Sequence, residues 1–434
     1  MATNPIPQFP AGFLWGVSTS AHQIEGAADL RAPSVWDAFT AEPGRVKDGS
    51  TAAVACDHYH RYREDVALLA DLGVDAYRFS VSWPRVDPPG GLDFYDRLVD
   101  ELCAAGIRPV ATLFHWDLPV GLDWLRRETA ERFAQYTAAV AARLGDRVGT
   151  WLTLNEPAEH TLLGHALGAH APGRQLLFDA LPAAHHQLLG HGLAVRALRA
   201  AGATDIGIAN SHGPTWPASH AAEDLEAAAF YDILLNRLFA DPLLLGRYPE
   251  GIDALMPGDV EADLKVIAEP IDRYGVNYYA PTRVGAPQGD EIEFGGLTLP
   301  AELPFSVREI EDRPVTDFGW PVVPEGLTEL LTGLRDRYGD RLPPVVITEN
   351  GCSYPGLDDQ DRIGYLDGHI RALHDALAAG VDVRGYFVWS LLDNFEWAEG
   401  YARRFGLVHV DFATLERTPK ASYGWFREVL RAQR

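Results

Sequence analysis

Short apolar runs alternate with longer amphipathic stretches along this 434-residue chain. Eight runs have the length and the β-branched and aromatic content of strands: 13–18, 76–80, 108–114, 150–154, 206–210, 274–277, 345–348 and 385–389. Between them, apolar residues recur at helical spacing over 59–71, 94–105, 129–144, 180–200, 225–238, 324–338 and 363–379, with a closing helix over 423–432. Asp224 is placed to cap its helix, and Gly106, Gly202 and Gly380 to end theirs. Eight strands separated by helices predict an α/β fold, a single (β/α)8 barrel over residues 1–434. The alternative is an open doubly wound sheet. It is disfavoured because no glycine-rich phosphate loop follows the first strand.

A barrel of this kind carries its active site at the C-terminal ends of its strands. Those ends are repeatedly polar or aromatic. Gln23 follows the first strand, Arg78 lies on the second, His115 and Trp116 follow the third, and Asn155 and Glu156 follow the fourth. Asn277 and Tyr279 mark the sixth, Glu349 the seventh and Trp389 the eighth. Two stretches dominate: Thr153-Leu154-Asn155-Glu156-Pro157 and Ile347-Thr348-Glu349-Asn350-Gly351. Each sets a glutamate beside an asparagine just past an apolar run. As isolated residues they would read as surface glutamates in turns. Two carboxylates brought from distant strand ends into one pocket instead suit glycosidic bond cleavage, in which one protonates the leaving oxygen and the other attacks the anomeric carbon.

Composition narrows the partners. A net charge of −24 argues against nucleic acid or an anionic membrane, since both require basic patches. No apolar run approaches the roughly 18 residues of a membrane helix. Residues 1–10 have neither the basic start nor the apolar middle of a secretion signal. Cys56, Cys103 and Cys352 are too few and too scattered for a disulfide framework. A cytoplasmic location is expected. Fifteen histidines invite a metal, but His58 and His60, and His185, His186 and His191, lack the spacing of a ligand set, so neither metal nor cofactor is expected.

The chain resembles glycoside hydrolase family 1, the β-glucosidase family, nearly end to end. The likeness is carried by Phe13-Leu14-Trp15-Gly16, Gln23-Ile24-Glu25-Gly26, Tyr77-Arg78-Phe79-Ser80, His115-Trp116-Asp117-Leu118-Pro119, the two glutamate motifs, Asn277-Tyr278-Tyr279 and Asp393-Asn394-Phe395-Glu396-Trp397. The resemblance implies hydrolysis of terminal β-D-glucosides, with β-galactosides and β-fucosides as side substrates. It implies a double displacement with net retention, Glu156 as acid/base and Glu349 as nucleophile, served by Arg78 and Tyr279. Gln23, His115, Asn155 and Glu396 match residues that bind the sugar hydroxyls. Trp389 and Trp397 match its walls, and Trp116 and Asn277 are counted with them. Retention requires the carboxyls about 5–5.5 Å apart. Ionised Glu349 is expected to raise the pKa of Glu156.

Where family members acting on 6-phosphorylated sugars carry a serine, with lysine and tyrosine nearby, this chain has Glu396 followed by Glu399, two carboxylates expected to repel a phosphate. Ala158 replaces the usual tryptophan after Asn-Glu-Pro, and the segments after Arg85 and after Asn350 are short, so a more open aglycone mouth is expected, with Trp320 as one of its surfaces. A 6-phospho-β-glycosidase, a transglycosylase and a non-catalytic sugar-binding protein are the alternatives.

Overall fold

The computed structural model describes residues 5–294 and 297–434. Eight parallel strands close into a barrel: β1 Leu14–Ser18, β2 Ala76–Ser80, β3 Arg108–Phe114, β4 Thr150–Asn155, β5 Ile206–Ser211, β6 Arg273–Asn277, β7 Val345–Asn350 and β8 Val383–Trp389. Each pairs with its sequence neighbour, and β1 closes on β8 with Leu14 opposite Gly385 and Ser18 opposite Trp389. This is a (β/α)8 barrel, with helices such as His58–Leu72, Leu92–Ala104, Arg127–Leu144, Leu181–Ala200, Pro324–Tyr338 and Gln360–Ala378 between the strands.

Alternation along each strand sorts the residues. Outward positions such as Tyr77, Ala111, Ile347 and Tyr386 join the core shared with the helices. Inward positions near the strand starts, Ala76, Val110, Leu152, Ala209 and Phe387, make a separate apolar plug. Gly16 makes room for that plug, because a Cβ there would lie 2.3 Å from the Phe387 ring. Two residues further along, the inward positions turn polar: Arg78, Thr112 and Thr348, all buried. The barrel is therefore sealed at one end and chemically equipped at the other.

Several boundaries differ from expectation. β4, β5 and β7 run one or two residues further, so Asn155, Ser211 and Glu349 lie within strands. The stretch expected as one helix over 225–238 is a helix Ala222–Asp232, a π-helical turn Ile233–Arg237 and a second helix Leu238–Leu245. Asp224 does not cap it: it lies inside the first turn, bonded to the Ser219 hydroxyl at 2.5 Å and the Ala286 amide at 2.8 Å. Gly106, Gly202 and Gly380 do follow their helices, each at positive φ. A small sheet of Thr215–Pro217, Thr282–Gly285 and Ser306–Arg308, built from the loops after β5 and β6, was not legible as strands. Among the described residues no helix is long and apolar enough to cross a membrane.

Candidate active site

The polar end of the barrel opens into a cavity of about 530 Å³ lined by both Glu156 and Glu349. A cavity of about 600 Å³ lies at the opposite end, but there Arg108 and Arg273 are both paired with Asp205. Its two acids, Asp205 and Asp382, are both tied up with arginines, and chemistry in such barrels sits at the C-terminal strand ends.

Glu349 reaches the cavity through an irregularity. Thr348 already faces inward, so strict alternation would send Glu349 out towards the helices. The register of β7 shifts against both neighbours here: against β6 between Ile347 and Glu349, and against β8 between Ile347 and Asn350. Such a bulge re-aims a side chain. β4 shifts against β5 between Leu152 and Asn155. Glu156 follows at φ 46°, a left-handed turn that starts the helix Pro157–Glu159 and a π-helical stretch His160–Ala166.

Arg78 donates to Glu349 Oε1 at 2.6 Å and, through its other terminal nitrogen, to Asn155 Oδ1 at 2.6 Å. The Tyr279 hydroxyl donates to Glu349 Oε2 at 2.8 Å, so each oxygen of the carboxylate has its own donor. The Asn277 amide donates to Glu156 Oε1 at 2.8 Å and to Asn155 Oδ1 at 3.0 Å, and its own carbonyl accepts from Thr348. Asn277 lies opposite Glu349 in the β6–β7 register, so the residue that holds Glu156 sits beside the strand end that carries the other acid.

Burial acts on both glutamates. Glu156 is pushed well above the usual carboxylate range, first by burial, then by the charges of Glu349 and Glu159. Desolvation thus leads, ahead of the Glu349 charge expected from sequence. Glu349 is raised as well, by burial that the Arg78 charge and the Tyr279 and Arg78 hydrogen bonds only partly oppose.

His115, Trp116, Tyr279, Trp320, Trp389, Glu396 and Trp397 line the same cavity, and His170 lies at its edge with them. His115 is nearly parallel to Trp389 and Trp397, at 5.7 and 6.0 Å. Trp116 spends its indole N–H on the Asn155 carbonyl at 3.0 Å. Trp320 stacks on Phe318 at 4.3 Å and meets Tyr279 edge-on at 5.3 Å. Gln23, Arg78, Asn155 and Asn277 stand behind the wall. Gln23 donates to Glu396 Oε2 at 3.2 Å and accepts from Ser20 at 2.6 Å.

The expected repulsion of phosphate by Glu396 and Glu399 needs correcting. Glu399 is paired with Lys47 at 2.5 Å and Arg403 at 3.2 Å, so its charge is offset. The rim cations Arg45 and Lys47 are in turn taken up by Glu42 and Glu399. Glu396 is pushed up to about 8 by burial and by the Glu349 and Glu399 charges, and faces no cation of its own among the described residues. The candidate metal histidines are structural: His58 bonds Asp65, His185 bonds Tyr248 and Asp263, and His191 bonds Thr153. No group of three or more metal-competent side chains occurs among the described residues. Cys352 is buried, and burial raises its thiol to about 12.

Sequence reasoning missed Glu159, a further carboxylate of the cavity wall, three residues after Glu156. The only signal was its helical spacing from the acid.

Comparison with known proteins agrees with this architecture. Residues 6–434 match the sequence profile of glycosyl hydrolase family 1. Beta-glucosidase A of Acetivibrio thermocellus is 43% identical over 98% of both chains. A bifunctional beta-D-glucosidase/beta-D-fucosidase of Bifidobacterium breve is 42% identical over 97% of this chain and 98% of its own. The crystal structure of a psychrophilic beta-glucosidase from Micrococcus antarcticus superposes with a TM-score of 0.94 at 44% identity, covering all of both chains. The chain belongs to glycosyl hydrolase family 1.

Proposed function

We propose that this chain is a retaining β-glucosidase that works as one catalytic domain without a cofactor. The observation that carries the reading is the asymmetry of its two buried acids. Glu349 has a cation on one oxygen and a phenol on the other, the setting of a carboxylate that attacks as an anion. Glu156 has one amide donor and no cation, the setting of an acid that keeps its proton. Glu156 protonates the glycosidic oxygen while Glu349 attacks the anomeric carbon from the opposite face. Once Glu349 is esterified its charge is gone, the pKa of Glu156 falls, and Glu156 takes a proton from the incoming water. The Asn277 amide holds Glu156 beside the β6–β7 pairing from which Glu349 projects, which supports the short carboxyl spacing that retention needs.

His115, Trp389, Trp397 and Glu396, backed by Gln23 and Asn155, form the glycone half. A gluco-configured sugar is favoured, with β-D-fucosides and β-D-galactosides as side substrates. The likeness to a beta-D-glucosidase/beta-D-fucosidase supports the fucoside part. Paired rim cations disfavour 6-phosphorylated sugars. Three free cysteines suit a reducing, cytoplasmic setting.

The test is turnover of 4-nitrophenyl β-D-glucoside by the wild type and by Glu349→Ala, with and without azide. Wild-type activity, a loss of several orders of magnitude in the variant and azide rescue to the α-glucosyl azide are expected. A wild type that is inert here but cleaves the 6-phosphate form, or a variant that keeps its activity, overturns the reading.

A further inference from the structure

Glu159 is a carboxylate that the double displacement does not use. It follows Glu156 by three residues: Glu156 is the left-handed residue that starts the short helix Pro157–Glu159, Glu159 ends that helix, and both line the cavity. It lines the cavity together with Ser211 at the end of β5, whose hydroxyl donates to Glu159 Oε1 at 3.0 Å. Among the described residues no arginine, lysine or histidine is paired with it, whereas on the same wall Glu349 is paired with Arg78 and Glu399 with Lys47 and Arg403.

Its position separates it from the glycone. The side chains that would face the sugar, His115, Trp389, Trp397 and Glu396, come from the β3 and β8 ends, with Gln23 after β1 and Asn155 on β4 behind them. Glu159 stands on the β4–β5 side, where Leu162, Tyr231, Leu234 and Phe305 make the wall apolar. The leaving group begins at the oxygen that Glu156 protonates and extends past Glu159. A half-buried carboxylate without a counter-charge is costly, and the cost is offset when a ligand brings the charge.

We infer that Glu159, oriented by Ser211, makes the leaving-group half of the cavity selective for β-glucosides whose aglycone carries a protonated amine. This rests on the β-glucosidase reading and adds to it a class of aglycone. The ammonium group fills the donor vacancy on Glu159 while its hydrocarbon portion lies on the apolar wall, a combination in which a charge-assisted hydrogen bond forms away from water.

The experiment measures kcat/KM for 4-(aminomethyl)phenyl and 4-methylphenyl β-D-glucoside with wild type, Glu159→Gln and Ser211→Ala. The ratio of the two substrates within one preparation does not depend on how much of it is folded. The wild-type ratio is expected to favour the amine, and Glu159→Gln to reduce that ratio roughly tenfold, the size of one hydrogen bond to a charged group. Ser211→Ala should reduce it by less. A ratio unchanged by Glu159→Gln, with both glucosides turned over, overturns this inference alone. No turnover of 4-methylphenyl β-D-glucoside by the wild type overturns the β-glucosidase reading together with it.

Discussion

At the scale of single residues, the site is an argument between burial and charge. Turnover by the proposed mechanism needs Glu349 ionised and Glu156 protonated. Activity therefore rises with pH through the pKa of Glu349 and falls through that of Glu156. Burial raises both groups, so both limbs of the kcat/KM profile should lie above the ordinary carboxylate range. Arg78 is the cation that holds Glu349 down. Arg78→Met should move the acid limb to higher pH and reduce kcat/KM by about 10²–10³, the usual loss when a group stabilising charge in a dry site is removed. A pH–rate profile checks this, and an acid limb that stays put or moves down rules the assignment out. Glu159 acts on the other limb. Its charge helps to raise Glu156, so Glu159→Gln should draw the alkaline limb to lower pH. An alkaline limb left unchanged would mean that Glu159 is uncharged when the enzyme works.

At the scale of elements, the chemistry depends on how strands end. Gly351 closes β7 against β8: a Cβ there would lie 1.8 Å from the Trp389 carbonyl oxygen, a backbone atom that cannot turn aside. Gly351→Ala should push the two strands apart where Glu349 and Trp389 leave them, lowering kcat by tenfold or more. The strain should cost about 1–3 kcal/mol of stability, read from urea unfolding and steady-state rates of the same preparation. A variant with wild-type kcat would show that the site tolerates a shift at this junction. These strand ends also mark how far the sequence could be read. The barrel was legible because periodicity separates strands of five to seven residues from long amphipathic helices. The residues of the site were legible because polar side chains stand at strand ends where a packed core would place apolar ones. The bulges in β4 and β7 were not, because a register shift is a relation between strands and leaves no period in either one. For the same reason the sequence set Glu349 beyond a strand that in fact contains it. Asn277 could be named, but its place between Glu156, to which it donates, and Thr348, from which it accepts, could not, since it arises only when β6 meets β7 and the end of β4. Glu159 escaped notice because nothing in its local sequence distinguishes a cavity wall from a solvated helix face.

At the scale of the whole molecule, the chain's last segment ties the barrel shut through buried charge. After β8 it returns past the first helices, where Arg417 donates to Asp65 at 2.9 and 3.1 Å, with His58 on the same carboxylate at 2.8 Å. Lys420 reaches Asp393, in the loop that carries Glu396, at 2.7 Å. The terminal helix Ala421–Ala432 then packs down, its Tyr423 hydroxyl donating to Asp71 at 2.8 Å. Burial alone would raise Asp65, yet the hydrogen bonds from His58 and Arg417 and their charges bring it below its ordinary value. A carboxylate depressed in the folded state adds stability above its unfolded pKa and loses it as pH falls through the folded one. Arg417→Met reverses the balance. Asp65 is left deeply buried with only a histidine, its folded pKa rises, and keeping it ionised becomes a cost at neutral pH of about 3–5 kcal/mol, as for other buried pairs that lose one partner. Protonation relieves that cost, so the stability gap between wild type and variant should be widest near neutrality and narrow as the pH is lowered. Urea unfolding at about pH 7 and about pH 5 measures the gap directly. A gap that stays constant or widens on acidification would show that Arg417 works by packing and not by its charge. The same denaturation followed through Trp fluorescence and through glucoside turnover would then tell whether closure of the chain and assembly of the site are one cooperative event. The Lys420–Asp393 bond, which joins the closing segment to the loop that carries Glu396, makes loss of both signals at one urea concentration the expected outcome.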